Sequence, residues 1–357
     1  MLQPLQRILV VRTDRLGDVV LTLPVLSLLR SCYPQAHLSM LLRRYTGEIV
    51  EGNIYVNSLL WYDDPDGPLP FRTLLRIVRR ERFDAAIVAR PTLRLALLVF
   101  LAGIPLRVGT GYRAYSILFN RRVFEHRRTA ARHELEYNLN LLAAVGCQVP
   151  QFPCFPDYGL RVSSRTEAQL RTLLAERGVA DRGRRVIVHP GSGGSAREWP
   201  EDNLRELASR LHEKEGCTVL VTGSRQEKAR VDLFAASVRG GATSLAGLCT
   251  VPELAALVRS ADLFVSNSTG PLHVAAAMGT PVLGFYPHIV PMSAARWGPY
   301  GTASRVLVSE GPVDCDTCVR KRMHICDCMA RISVEVALEK AKELLTNTAR
   351  KELEGAH

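Results

Sequence analysis

Three loops in this sequence hold residues whose types and spacing could do chemistry. In "SNSTGPLHVAAAMG" (266–279), Pro271 suits the first turn of a helix, where its missing N–H is not needed. Ser268, Thr269 and Gly270 in front of it supply hydroxyls and free amides. A helix start with exposed N–H groups and a positive dipole end attracts phosphate. The same residues also suit a plain capped helix. In "HPGSGGSAREWP" (189–200), glycine and serine let the backbone approach a ligand closely, and Arg197 adds a fixed cation. The Gly-Lys-Ser/Thr ending of a Walker loop is absent, and an ordinary surface loop is the other reading. In "RTDRLGD" (12–18), only Gly17 is present of the dinucleotide fingerprint. Asp18 falls at a helix start, where the dipole favours its ionised form. An ionised carboxylate in a cleft is a general base; Asp14 or Asp18 as a simple N-cap is the alternative.

A fourth group is Cys315, Cys318, Cys326 and Cys328, spaced C-x2-C-x7-C-x-C. Four thiolates suit a structural zinc, with His324 able to replace one ligand; free thiols are the other reading. No His and carboxylate cluster at ligand spacing suggests a catalytic metal. Nine cysteines in a chain without a visible export signal argue against a disulfide scaffold.

The elements that must position these loops alternate. Arg7 to Arg12 reads as a buried strand and Val19 to Arg30 as a helix, and His37 to Leu42, Ser58 to Tyr62 and Phe83 to Ala89 as further strands, with a helix at Phe71 to Arg82. Residues 148–164, with three prolines, read as a linker. The alternation then restarts. Arg185 to His189, Thr218 to Thr222, Leu263 to Ser266 and Val282 to Tyr286 read as strands. Helices are expected from Pro200, over Arg225 to Val238, and after the capping box of Thr250 and Glu253. The pattern predicts an α/β protein of two doubly wound domains facing across a cleft, with ligands at the carboxyl ends of the strands. Every loop named above lies at such an end.

At 357 residues the chain is long enough for two domains. No signal peptide is visible, and the longest apolar stretch, Leu95 to Ile104, is too short to span a bilayer. It reads as a core helix, with an interfacial helix as the alternative. The expected location is the cytoplasm. The net charge of +11 is unevenly spread: segment 107–132 holds seven arginines against Glu125 alone. Guanidinium groups bind phosphate and carboxylate bidentately. No nucleic-acid-binding signature accompanies the patch, and a solvated basic face is the plainer reading.

Taken together, "ILVVRTDRLGDVVLTLPVL", "HPGSGGSAREWP", "VTGSRQEKA" and "VSNSTGPLHVAAAMGTPVLGFYP" resemble the ADP-heptose:lipopolysaccharide heptosyltransferases, the family 9 glycosyltransferases. The resemblance implies a GT-B fold of two Rossmann-like domains. Residues 1–155 would bind the acceptor and 165–333 the nucleotide sugar, with a last helix at 334–347 near the domain junction. It implies an inverting transfer without a metal from ADP-heptose to a lipopolysaccharide core acceptor, by a protein peripheral to the inner membrane. Asp18 matches the family's base. Ser192, Arg197, Glu227, Thr269, Gly270 and His273 match its donor site, Glu227 beside the nucleotide ribose. Ser268 stands where many members carry Asp, which puts the donor sugar in question. Arg113, Arg121, Arg122, Arg127 and Arg128 would meet the phosphates and carboxylates of the acceptor. Two alternatives remain at this point: a GT-B enzyme with another donor or envelope acceptor, and a nucleotide-binding protein without transferase activity.

Overall fold

In the computed structural model, residues 5–180, 183–194, 196–310 and 327–354 are described. The chain forms two compact units, Met1–Arg161 and Val162–His357. Unit 1 is built on strands β1 (Arg7–Val11), β2 (His37–Leu42) and β3 (Ser58–Trp61), a small hairpin of β4 (Asp63–Asp64) and β5 (Gly67–Pro68), then β6 (Ala85–Val88), β7 (Leu106–Thr110) and β8 (Arg121–Val123). Its helices are α1 (Leu16–Val20), α2 (Leu23–Cys32), α3 (Arg44–Gly47), α4 (Phe71–Arg80), α5 (Leu93–Leu101) and α6 (Glu134–Asn140). Unit 2 carries α7 (Ser164–Glu176), β9 (Arg185–His189), α8 (Glu201–Glu215), β10 (Thr218–Val221), α9 (Lys228–Ser237), β11 (Thr243–Ser244), α10 (Val251–Arg259), β12 (Leu263–Asn267), α11 (Gly270–Ala277), β13 (Val282–Tyr286) and β14 (Ser304–Val308).

The two units share one plan. Sheet order is β3-β2-β1-β6-β7-β8 in unit 1 and β11-β10-β9-β12-β13-β14 in unit 2, parallel throughout. In each, the chain starts in the middle, winds outward one way and then crosses back to wind the other way. The central strands are buried on both faces and so read as unbroken apolar runs: "ILVV" in β1 and "VIV" in β9. An acid fixes the amino edge of each centre. Asp84 accepts the Arg7 amide at 2.8 Å, and Asp262 accepts the Arg185 amide at 2.7 Å. The C-terminal helix, Val334–Glu354, packs on α8 and β14 within unit 2.

Several expected elements fall where periodicity put them, including β2, β9 and β13. The helix expected over Val19 to Arg30 is instead two. Pro24 lacks an N–H, and its ring would strike the carbonyl of Val20, so α1 stops. The break is filled by other partners: the Thr22 hydroxyl donates to the Asp18 carbonyl at 2.8 Å and Asn138 Nδ2 to the Leu21 carbonyl at 3.1 Å. Of the cysteines, Cys32 and Cys147 are joined across 115 residues, the one cross-link among the described residues. Cys315, Cys318, Cys326 and His324 lie outside the described residues, while Cys328 is buried in the unit 2 core beside Met329 and Ile332.

The capping box before α10 forms as read: the Glu253 amide donates to Thr250 Oγ1 at 3.3 Å, and the Thr250 amide to Glu253 Oε2 at 2.7 Å. Thr250→Ala removes the cap on an exposed helix start. It should lower the stability of unit 2 by about 1 kcal/mol, seen as a fall of a few degrees in its melting transition.

Candidate active site

In a doubly wound sheet the ligand crevice opens at the carboxyl ends of the two strands between which the winding reverses. In unit 1 these are β1 and β6, and the loop leaving β1 is Arg12 to Asp18. Arg12 is 1% exposed. Its Nε donates to Asp14 Oδ1 at 2.7 Å, its Nη1 to Asn138 Oδ1 at 3.2 Å and Glu134 Oε1 at 3.3 Å, and its Nη2 to Asp18 Oδ1. Arg127 also pairs with Glu134 and reaches Asn138 Oδ1 at 3.1 Å. Two cations and three acids are thus locked together, with Arg90 approaching Asp14 at 3.6 Å from the loop after β6.

Burial would weaken the Arg12 charge, but Asp14, Asp18 and Glu134 raise its pKa above the usual value. Burial also pushes the Asp18 carboxyl above the ordinary aspartate range. Arg12 pulls it down, while Asp14 and Glu134 push it further up. Arg12 occupies Oδ1 only; no hydrogen bond to Asp18 Oδ2 occurs among the described residues. Asp18 sits in the first turn of α1 with one oxygen held and one open, which suits a base.

In unit 2 the reversal lies between β9 and β12, and the other two loops leave these strands. Asn267, the last residue of β12, joins them: its Nδ2 donates to the Pro190 carbonyl at 3.3 Å, and its Oδ1 accepts the Trp199 amide at 2.8 Å. Trp199 is the loop's anchor, stacked on Phe285 at 4.1 Å and donating its indole N–H to the Ile332 carbonyl at 3.0 Å. Between these fixed points the glycines bend freely, Gly193 and Gly194 at positive φ. Gly191 makes room for another reason: a Cβ there would displace the Glu227 carboxylate.

Glu227 Oε2 accepts from the Ser224 amide at 3.0 Å and the Ser224 hydroxyl at 2.6 Å. Burial works against its charge, but these two bonds, together with Arg230, hold its pKa below the usual value. The Ser192 amide donates to Glu198 Oε1 at 2.9 Å. Arg197 has a buried Nε with no hydrogen-bond partner, and no ion pair among the described residues. Thr269 is the N-cap residue of α11, yet its hydroxyl turns to Ser266 at 3.0 Å and caps nothing. The first amides of α11 therefore keep their donors for something else. Ser268 reaches the buried Tyr286 phenol, and His273 is buried near the Trp297 ring, 6.5 Å between centroids. Unit 2 thus gathers Ser192, Arg197, Glu227, Thr269 and Gly270 around the ends of two adjacent strands. A half-buried cation with one buried, unpartnered N–H and the amides at a helix start are groups that suit an anion and charge developing on it.

The arginine segment is not one patch. Arg127 is drawn into the Arg12 cluster. Arg107 lies over the Phe100 ring at 5.4 Å and donates to the Leu118 carbonyl. Arg113, Arg121, Arg122 and Arg128 are exposed. Among the described residues, no three His, Cys, Asp or Glu side chains are placed to share a metal ion. Sequence reasoning passed over Arg12, Glu134, Asn138 and Asn267. A charge closing an apolar strand was a signal for Arg12; the partners on α6, more than a hundred residues away, carried none.

Residues 71–325 match the sequence model of glycosyltransferase family 9 (heptosyltransferase). The chain belongs to this family. It is a glycosyltransferase. It is 28% identical over 280 residues to lipopolysaccharide heptosyltransferase 3 of Escherichia coli K12, covering 76% of this chain and 79% of that one. The family 9 glycosyltransferase structure from Veillonella parvula superposes with a TM-score of 0.80 at 21% identity, over 96% of this chain and 97% of that one. The E. coli ADP-heptose lipopolysaccharide heptosyltransferase II structure gives 0.78 at 22% identity, over 96% and 99%. The fold of this glycosyltransferase is the GT-B type, with two doubly wound Rossmann-like domains.

His189 closes β9 under the glycine loop, and burial lowers its pKa to about 4, with Glu227 and Glu198 opposing; its Nδ1 meets Thr222 Oγ1 at 3.0 Å. The folded chain therefore holds it neutral, while the unfolded chain protonates near 6.5. Its neutral burial costs nothing above 6.5. Below that, stability falls by roughly 1.4 kcal/mol per pH unit until about pH 4. His189→Gln should flatten the decline of the unit 2 melting temperature between pH 7 and 5; an unchanged slope would place the acid sensitivity elsewhere.

Proposed function

We propose that this glycosyltransferase moves a heptose-type sugar from an ADP-sugar to a lipopolysaccharide inner-core acceptor, with inversion and without a metal. The observation that carries the reading is Asp18, a half-buried carboxylate held by Arg12 through one oxygen at the switch point of unit 1. In this reading Asp18 Oδ2 takes the proton from an acceptor hydroxyl as that oxygen attacks the anomeric carbon. The bond to the diphosphate breaks on the opposite face. Negative charge grows on the leaving ADP, and Arg197 with the amides of Thr269 and Gly270 meets it. Glu227 accepts from the ribose hydroxyls. Arg113, Arg121, Arg122 and Arg128 supply donors for acceptor phosphates and carboxylates. The names of the relatives, lipopolysaccharide heptosyltransferases 2 and 3 among them, support donor and acceptor class. No helix among the described residues is long and apolar enough to cross a membrane, so in this reading the protein meets a membrane-anchored acceptor from the cytoplasmic side as a peripheral protein. A structural zinc at Cys315, Cys318, Cys326 and Cys328 is compatible with this reading and takes no part in it.

A second reading, transfer from another nucleotide sugar, has one observation in its favour. Ser268 stands where a carboxylate is common in the family, and its side chain is turned to Tyr286. A thermal-shift panel of ADP-, UDP-, GDP- and CMP-sugars separates the two, since a ligand of the folded state raises the melting temperature. A shift with ADP-heptose alone supports the first reading; a shift with another sugar instead selects the second.

Asp18→Asn should cut turnover by about 10²- to 10⁴-fold and leave donor affinity unchanged. A plain binding protein would show neither transfer nor any effect of the substitution. Because burial raises the Asp18 pKa, the wild-type rate should fall on acidification at a pH above the ordinary aspartate range, as the protonated acid can no longer accept. Gly191→Ala should push the Glu227 carboxylate off Ser224 and weaken ADP binding about tenfold by calorimetry, the worth of one charged hydrogen bond.

A further inference from the structure

A helix that is apolar all round belongs either in a core or against lipid. The helix α5, "LRLALLVFL", has Arg94 as its one polar residue, and it is covered on one side only. Leu95, Ala96, Leu98 and Val99 are buried in the unit 1 core. Leu93 (54% exposed), Phe100 (45%) and Leu101 (41%), with Leu97 half-buried between them, form an outward stripe at i, i+4, i+7 and i+8. Next to it the 3₁₀ turn Ala114–Leu118 packs on α5 and holds out Ile117, which is 78% exposed.

The other flank is α4. Its inner face is Leu74 and Val78, and its outer face is Arg72, Arg76, Arg79 and Arg80, again at i, i+4, i+7 and i+8. None of these four forms an ion pair among the described residues. Arg79 Nη2 donates to the Leu101 carbonyl at 2.6 Å, which ties the basic row to the end of the apolar stripe. Arg107, laid over Phe100, borders the stripe at the same end. Residues 71–124 hold eleven arginines and only two acids, Glu81 and Asp84. Both acids are engaged: Glu81 pairs with Arg7, and Asp84 accepts the amides of Gln6 and Arg7.

We propose that this face of unit 1, α5 and Ile117 flanked by the arginine row of α4, docks on an anionic phospholipid surface. Apolar side chains between rows of guanidinium groups match acyl chains beneath anionic headgroups. A second copy of the chain fits worse, because a two-fold contact through this face would set arginine row against arginine row. The proposal rests on the reading above, in which the acceptor is membrane-anchored, and adds the face that brings the enzyme to it.

The test is flotation of the full-length protein with vesicles of phosphatidylcholine alone or mixed with phosphatidylglycerol, together with light scattering for oligomeric state. The wild type should float with the anionic vesicles only, and less at high salt as the charges are screened. Ile117→Asp and Phe100→Ser should each weaken partitioning by about tenfold, the worth of one buried large apolar side chain. Arg72→Gln and Arg76→Gln should each weaken it on the order of fivefold. All four positions are exposed, so the variants should keep the wild-type melting temperature and the thermal shift with donor. A wild type that stays unbound, variants that float equally well, or a dimer that Ile117→Asp dissolves would each overturn the proposal. Lost flotation with transfer to a detergent-solubilised acceptor intact removes the docking face alone. Flotation as described with no transfer to that acceptor removes the transferase reading alone.

Discussion

A guanidinium holds its proton at any working pH, and Arg12 keeps one where water hardly reaches. A lone buried charge costs several kcal/mol, so carboxylates have to come to it. Two come from its own loop, Asp14 and Asp18; Glu134 and the amide of Asn138 come from α6. Much of unit 1 follows from this. Asn138 faces Arg12 and Arg127 with its oxygen and uses its nitrogen on Leu21 and Thr22, so the pairing that satisfies the charge also fills the break between α1 and α2. Asp18 is thereby fixed at one oxygen, in a place where burial favours its proton and Arg12 opposes it. Such a balance suits a base, which must be ionised at rest and still accept a proton when one is offered.

The same strand order in unit 2 carries the opposite electrostatics. The unit 1 switch point is filled with its own acids and cations. The unit 2 switch point leaves Arg197 Nε and the α11 amides open, and keeps His189 neutral rather than adding a second cation beneath the loop. One sheet plan therefore carries a cluster whose charges pair among themselves and a pair of loops whose donors are left open. The difference lies in a few loop residues, as expected of a fold on which function is grafted.

The parallel alternation was legible because strands buried on both faces are continuous apolar runs, and the loops at their ends stand out by their glycines. The two loops of unit 2 were legible for the same reason: Ser192, Thr269 and Gly270 sit within three residues of strand ends. What brings those loops together was not. Asn267 was one more polar residue in a cap-like string until its amide was seen bridging Pro190 and Trp199. The single helix read over Val19 to Arg30 failed because periodicity is blind to the proline clash that splits it. The arginine segment misled for a different reason. Counting charge in a window says nothing about which guanidinium groups still have donors to offer.

That distinction reaches beyond the segment. Only six of the 46 basic residues are lysine, and many of the arginines act as staples. Arg30 donates to the carbonyls of Pro34, Ala36 and Tyr55 and to Asn57, and Arg107 to those of Ile104 and Leu118. A planar fork with five donors can bind several carbonyls at fixed angles, which a single ammonium cannot. These groups add to the formal charge, but their donors are committed within the fold. The field a partner meets is set by the guanidinium groups left over. Those left over are placed unevenly: Arg197 beside the glycine loop of unit 2, the exposed Arg113, Arg121, Arg122 and Arg128, and a row along α4 beside an apolar stripe that no part of its own unit covers. A net charge of +11 therefore identifies no partner, whereas the uncommitted donors, taken with what lies next to each, select between a small anion and a broad anionic surface.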